Sequence, residues 1–279
     1  NITRDGVPTL AAVLNFGIYP QGYLPQLAIT AVVVPGKEIG QTADKDAARF
    51  LDNKRIEGTI AEMVEDALNF CRRNMKTRTI IDPQTGRRTD QTEYPISALR
   101  EAILNALIHR DYSIYTEGTP VQLDFFADRL EIHSPGSLYG RTTVEQLGYS
   151  RPDLRNPVLA VMAESLTDAE NRYSGIPTIR REMAAYGLPE PVFENRRGEF
   201  VVTLYNGTDT AVQAADAVPP DLLTFCSVPR SRQEIADFLG VKTVSYAIRQ
   251  YVAPLLKTGQ LKMTLPDRPG SPKQKYYKA

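Results

Sequence analysis

Glu101, Asn105 and His109 recur every fourth residue in the segment 94–112, a spacing that stacks the three side chains in one line along a helix. Their chemistry is complementary. A glutamate can accept a proton, a carboxamide oxygen suits a hard cation such as Mg²⁺, and an imidazole can donate or accept. Around them stand Ile96, Leu99, Ile103, Leu104, Leu107 and Ile108, apolar on nearly every side, so the helix is expected to be buried. Burying a carboxylate, an amide and an imidazole is costly unless each finds a partner. Two arrangements satisfy that demand: the line faces a cavity with a ligand or ion, or internal hydrogen bonds absorb it.

The elements that must position this helix can be read on either side of it. Residues 8–17 read as a short buried helix and 26–34 as a strand closed by Pro35-Gly36. Residues 59–75 have helical spacing at Ile60, Met63, Val64, Ala67, Leu68 and Cys71, with Arg72, Arg73 and Lys76 favouring the helix C-terminus. A hairpin with an exposed basic turn is expected over 77–92. After the central helix, 120–126 and 129–133 alternate as an antiparallel hairpin, followed by a sharp turn at 134–138. Pro157 opens a helix over 158–166, Gly175 precedes another over 176–186, and 200–205 is a strand.

Lys and Arg together number 33, as do Asp and Glu, so the net charge is zero. The balance is uneven, because 228–279 holds ten basic and three acidic residues. A basic tail on a neutral-to-acidic body points to a polyanionic partner. Cys71 and Cys226 stand far apart and read as ordinary reduced thiols. With His109 and His133 as the two histidines, a structural zinc site is not expected. No apolar run approaches the roughly 18 residues of a membrane span, and a cytoplasmic protein without membrane contact is expected. The chain opens on Asn1 without a clear structural start, as expected of a fragment of a longer protein.

The motifs at 99–112 (Leu-Arg-Glu-Ala-Ile-Leu-Asn-Ala-Leu-Ile-His-Arg-Asp-Tyr) and 128–136 (Asp-Arg-Leu-Glu-Ile-His-Ser-Pro-Gly), followed by Arg155-Asn156-Pro157, Ser174-Gly175-Ile176 and Tyr186-Gly187-Leu188-Pro189, form an ordered set. Together with 200–204 this set resembles the RecG-related, Schlafen/AlbA-type family of transcriptional regulators. No P-loop is present, which disfavours helicase activity. The resemblance implies an α+β, multidomain chain. Its parts are the end of an AlbA-like domain over 1–56, a GHKL ATPase-like α/β sandwich over 57–206, a linker over 207–219 and a winged helix-turn-helix over 220–279.

It further implies that Glu101 aligns a water as the catalytic residue and that Asn105 holds Mg²⁺. Ser134 and Gly136 would line the adenine pocket. Ser174 and Gly175 would wrap the phosphates at a helix N-terminus, and His109 would join Asn105 among the cofactor-binding residues. The family's Asp-x-Gly-x-Gly turn is Ser-Pro-Gly-Ser here, and its Gly-x-Gly phosphate loop is Tyr173-Ser174-Gly175.

The tail can be read without the family. Ser231 and Glu234 form a capping box opening a helix over 232–239, Gly240-Val241 turns, 243–257 is a second helix, and 261–265 and 273–277 form a hairpin. That is the winged-helix order. Lys242, Thr243, Ser245, Tyr246 and Arg249 are expected to face the major groove, with Lys262, Arg268, Lys273 and Lys275 on phosphates. Pro254 should kink or end the second helix. Two readings follow: a DNA-binding transcriptional regulator with an ATP-binding-like centre, expected to be a homo-oligomer, or a Mg²⁺-dependent ATPase acting on or with nucleic acid. Double-stranded DNA and ATP with Mg²⁺ are the implied partners and cofactors.

Overall fold

A computed structural model describes residues 2–40, 48–81, 85, 86, 88–149, 151, 153–166, 175–207, 220–240, 244–266, 271 and 274–279. The chain divides into two compact units, 1–209 and 210–279.

The first unit begins with a small hairpin, β1 (Thr3–Arg4) and β2 (Val7–Pro8), and the helix α1 (Leu10–Phe16). Next come β3 (Ile29–Val33), β4 (Asp52–Ile56), α2 (Ile60–Asn74) and a second hairpin of β5 (Thr77–Ile81) and β6 (Arg88–Thr92). The central helix α3 (Ile96–Ile108) leads to β7 (Val121–Phe125) and β8 (Arg129–Pro135). Helices α4 (Pro157–Leu166) and α5 (Gly175–Ala185) precede β9 (Val192–Arg196) and β10 (Glu199–Tyr205).

Six strands form one mixed sheet in the order β4-β3-β7-β8-β10-β9. The β3–β7 pair is parallel, Ile29 opposite Val121 and Val33 opposite Phe125, while the remaining pairs are antiparallel. One face of the sheet, with Ile29, Ala31, Leu123, Ile132, Val202 and Leu204, shares a single core with residues from α1 to α5. Strand alternation turns Asp124, Glu131, His133 and Glu199 to the opposite face.

Helix α2 starts where its sequence says it should. Thr59 accepts from the Glu62 N–H and the Glu62 carboxylate returns to the Thr59 N–H at 2.7 Å, a complete capping box. Helix α3 has no such cap at Pro95. It is held by burial: Leu99, Ile103, Leu104, Leu107 and Ile108 are all inside, each contributing about 2 kcal/mol on leaving water.

Residues 1–56, expected to be the end of an AlbA-like domain, share the unit 1–209 with the segment expected to form the sandwich. Strands β3 and β4 lie in the central sheet, and Ala11 and Leu14 of α1 join its core. The apolar alternation of 29–33 is what the parallel partner β7 buries.

The second unit contains α6 (Pro220–Phe225), β11 (Arg230–Ser231), α7 (Arg232–Phe238), a helical run from Val244 to Lys257, β12 (Leu261–Met263) and β13 (Lys275–Lys278). Its three-stranded antiparallel sheet has the order β11-β13-β12. Leu222, Cys226, Ile235, Val252, Leu255, Leu261 and Tyr276 make its core. The helical run continues through Pro254 by changing pitch. Ile248–Val252 is a π-turn, and the Ala253 N–H bonds to the Ile248 carbonyl five residues back. That displaced ladder absorbs the proline that a regular helix would not. Among the described residues no helix is long and apolar enough to cross a membrane. Both cysteines are buried and free, and burial pushes the Cys71 thiol up to about 12.

Candidate functional site

Helix α3 presents Glu101 and Asn105 toward the start of α5, and His109 follows as its C-cap. Glu101 is buried, and Asn105 and His109 are partly so. The His109 N–H, at the helix end, bonds to the Asn105 carbonyl at 3.0 Å. Gly175 opens α5 directly against the other two side chains. A β-carbon on Gly175 would lie 2.7 Å from Asn105 Nδ2 and 2.9 Å from Glu101 Oε2, so the position admits no side chain without displacement. The Glu101 carboxylate therefore lies beside the first turn of α5, where the helix dipole favours negative charge. Asn105 Nδ2 is buried without a hydrogen-bond partner, a group that a polar ligand or water would satisfy.

At the far end of α3, burial and the nearby Arg155 guanidinium lower the His109 pKa to about 4, so its imidazole is neutral at physiological pH. Arg155 pairs with Asp111 at 2.6 Å and donates to the Ser137 carbonyl at 2.7 Å. Beside it, Asn156 Nδ2 donates to the carbonyls of Ile108 and Arg110, at 3.0 and 2.8 Å, and so caps the helix C-terminus.

Ser134 and Gly136 lie against the end of α3 and the residues that follow it. The buried Ser134 hydroxyl donates to the Ala106 carbonyl of α3 at 2.8 Å. Gly136, at φ +99°, has the space of its missing β-carbon filled by Asp111 and Arg155, at 2.5 and 2.9 Å. Ser174 lies outside the described residues.

One polar cluster is absent from the sequence reading. On the opposite sheet face, His133 Nε2 meets Glu131 at 3.1 Å and Nδ1 meets Glu199 at 3.2 Å, with Asp124 3.9 Å away. Arg129 bonds Glu131 at 2.6 Å and Asp128 at 2.9 Å. Burial alone would lower the His133 pKa, but the bonds to Glu131 and Glu199 and the charge of Asp124 raise it above the ordinary value. Burial also pushes Asp124 up to about 6. Burial disfavours the Glu131 charge too, yet its bonds to His133 and Arg129 bring its pKa down to about 2. The signal was present in the alternation of Glu131 and His133 on one strand face.

In the second unit Lys242, Thr243, Arg268 and Lys273 lie outside the described residues, as do the side chains of Ser245, Tyr246 and Arg249. Lys262 and Lys275 are exposed on β12 and β13. Lys262 stands opposite Tyr277, and Lys275 lies two residues from Tyr277 on the same strand, so the three share one face. Among the described residues no three His, Cys, Asp or Glu side chains are grouped to hold a metal.

Residues 118–204 match the family described as "Putative ATP-dependent DNA helicase recG C-terminal". Residues 221–277 match the one described as "Filamentation induced by cAMP protein Fic-like, C-terminal domain". The first match supports an ATPase-like, RecG-related domain in the middle of the chain. Among curated proteins nothing matches. Among solved structures, the DIP2311 protein from Corynebacterium diphtheriae is similar at 20% identity and a TM-score of 0.60, over 90% of this chain. The chain spans about half, 51%, of that protein's length, and the likeness is one of fold.

Proposed function

We propose that the first unit carries a GHKL-type nucleotide pocket and the second a winged helix that binds double-stranded DNA, making the chain a DNA-binding transcriptional regulator. The observation that carries the pocket is the contact of Gly175 with Glu101 and Asn105. It joins a helix N-terminus, suited to phosphate, to a carboxylate and a carboxamide on one face of a buried helix. The residues fit a Mg²⁺-nucleotide in part. Asn105 would hold the ion through its Oδ1, and an ion bound mainly by phosphate and water needs few protein ligands. When bound, Mg²⁺ neutralises charge on the phosphates. Glu101 is placed to accept a proton from water, which supports the second reading, a Mg²⁺-dependent ATPase acting on or with nucleic acid.

Winged-helix character in the tail is supported by its element order, helix–strand–helix–helix–strand–strand, and by its basic excess. Lys262 and Lys275 suit phosphate contacts.

Calorimetric titration with Mg-ATP tests the pocket. Micromolar binding abolished by Asn105→Ala is expected, and absence of binding by the native protein would sink the reading. Glu101→Gln that keeps binding but loses hydrolysis favours the ATPase, whereas equal and negligible turnover in both proteins favours the regulator. For the tail, a gel shift with duplex DNA should show binding that falls with salt and is lost on removal of 220–279. Binding that survives this truncation would contradict the winged helix as reader.

A further inference from the structure

Two consecutive residues, Arg155 and Asn156, tie together three chain segments that bound the C-terminal end of α3. We propose that Arg155 is a positioning residue for the Asn105–His109 end of the site, an inference that rests on the nucleotide reading above. Its guanidinium spans two partners at once, Asp111 on the α3 exit and the Ser137 carbonyl on the β8 exit. Tyr139 lies against it, 5.2 Å from the ring centre. Asn156 adds the two carbonyls of Ile108 and Arg110. Asp111 is fixed from the remaining sides, its N–H on the Pro135 carbonyl at 2.8 Å and its Oδ1 on the Ser113 N–H at 2.9 Å.

The construction is crowded enough to demand Gly136. A side chain there would press on Asp111 and on Arg155 Nη1, and its φ of +99° disfavours any other residue. Asn105 lies one turn before the capped helix end, so the clasp determines where that last turn, and with it the carboxamide, stands. A guanidinium is suited to this because its planar fork reaches a carboxylate and a carbonyl together. Lysine offers a point charge and would keep one partner at most.

The test uses the full chain with Arg155→Gln and Arg155→Lys, Mg-ATP titration, and proton NMR of the two histidine rings. Arg155→Gln should weaken Mg-ATP affinity by about 10-fold or more, as small misplacements of a binding group do. It should also move the His109 titration upward, because a neighbouring positive charge is gone. Arg155→Lys should weaken binding while leaving His109 low, which separates geometry from charge. Should Arg155→Gln fail to fold, Asp111→Asn breaks the same pair from its other side and should weaken binding alike. Native Mg-ATP affinity in the folded Arg155→Gln protein overturns the positioning role alone. A native protein that binds no Mg-ATP overturns the nucleotide reading and the positioning role together.

Discussion

The two histidines sit on opposite sides of the same sheet and are treated in opposite ways. His109, at the end of α3, has a guanidinium nearby and, among the described residues, no carboxylate bonded to its ring, and it is held neutral. His133, on the far face, lies between Glu131 and Glu199, whose carboxylates favour its charged form and raise its pKa. The pair teaches that burial alone does not decide the state of an imidazole. Both are desolvated, and the sign of the neighbouring charge reverses the outcome.

This contrast can be broken from its strongest side first. His133→Leu removes the cation from between buried carboxylates and should cost about 3 kcal/mol in urea unfolding at pH 6, as loss of one partner of a buried ion pair does. A loss below about 1 kcal/mol would mean that Arg129 and solvent carry those carboxylates unaided.

The next effect is an acid-side one. His109 has a folded pKa near 4, below the ordinary 6.5, so its contribution is complete above 6.5 and is lost as the pH falls toward 4. His109→Gln should flatten the fall in stability between those values by about 2 kcal/mol, measured as urea midpoints across pH. A fall between those values that is unaltered by the substitution would show that the His109 imidazole is not the group that titrates there.

On the alkaline side the signs run the other way. His133 and Asp124 both have raised folded values, so the stability they give is present at low pH and declines as pH rises through those values. Asp124→Asn removes a carboxylate that is costly to ionise and should gain about 1 kcal/mol at pH 8 while gaining little at pH 3, below the ordinary carboxyl value. A gain of equal size at both values would point to packing rather than charge. The smallest expected effect leaves stability unchanged and sharpens the comparison directly. In a proton NMR titration, one of the two imidazole signals should move below pH 5 and the other above 6.5.

How much of this was legible beforehand depended on where each residue's partner lies along the chain. Helices α2 and α3 were readable because their apolar periodicity and, in α2, the Thr59–Glu62 capping box are local. The hairpin β7–β8 was readable for the same reason. Strands β4 and β9, the two edges of the sheet, were missed: Asp-Asn-Lys-Arg-Ile and Val-Phe-Glu-Asn-Arg carry the charge that protects an edge and so hide the alternation. The Glu101–Asn105 line was visible as a spacing, but not that Gly175, seventy-odd residues on, would press against both. The Arg155 clasp was invisible because its contacts, with a backbone carbonyl, a carboxylate and a tyrosine ring, are all distant in sequence. Pro254 was flagged as a helix breaker, and the π-turn shows how a neighbouring stretch of backbone can yield to it.

The parallel pairing of β3 with β7 has a consequence for how the molecule is born. On the ribosome, the 29–33 segment emerges about ninety residues before the 121–125 segment that flanks it. At about 5–20 residues per second that is a wait of roughly 5–20 seconds. Throughout it, one side of a valine- and isoleucine-rich ribbon lacks its parallel partner and presents an unpaired edge.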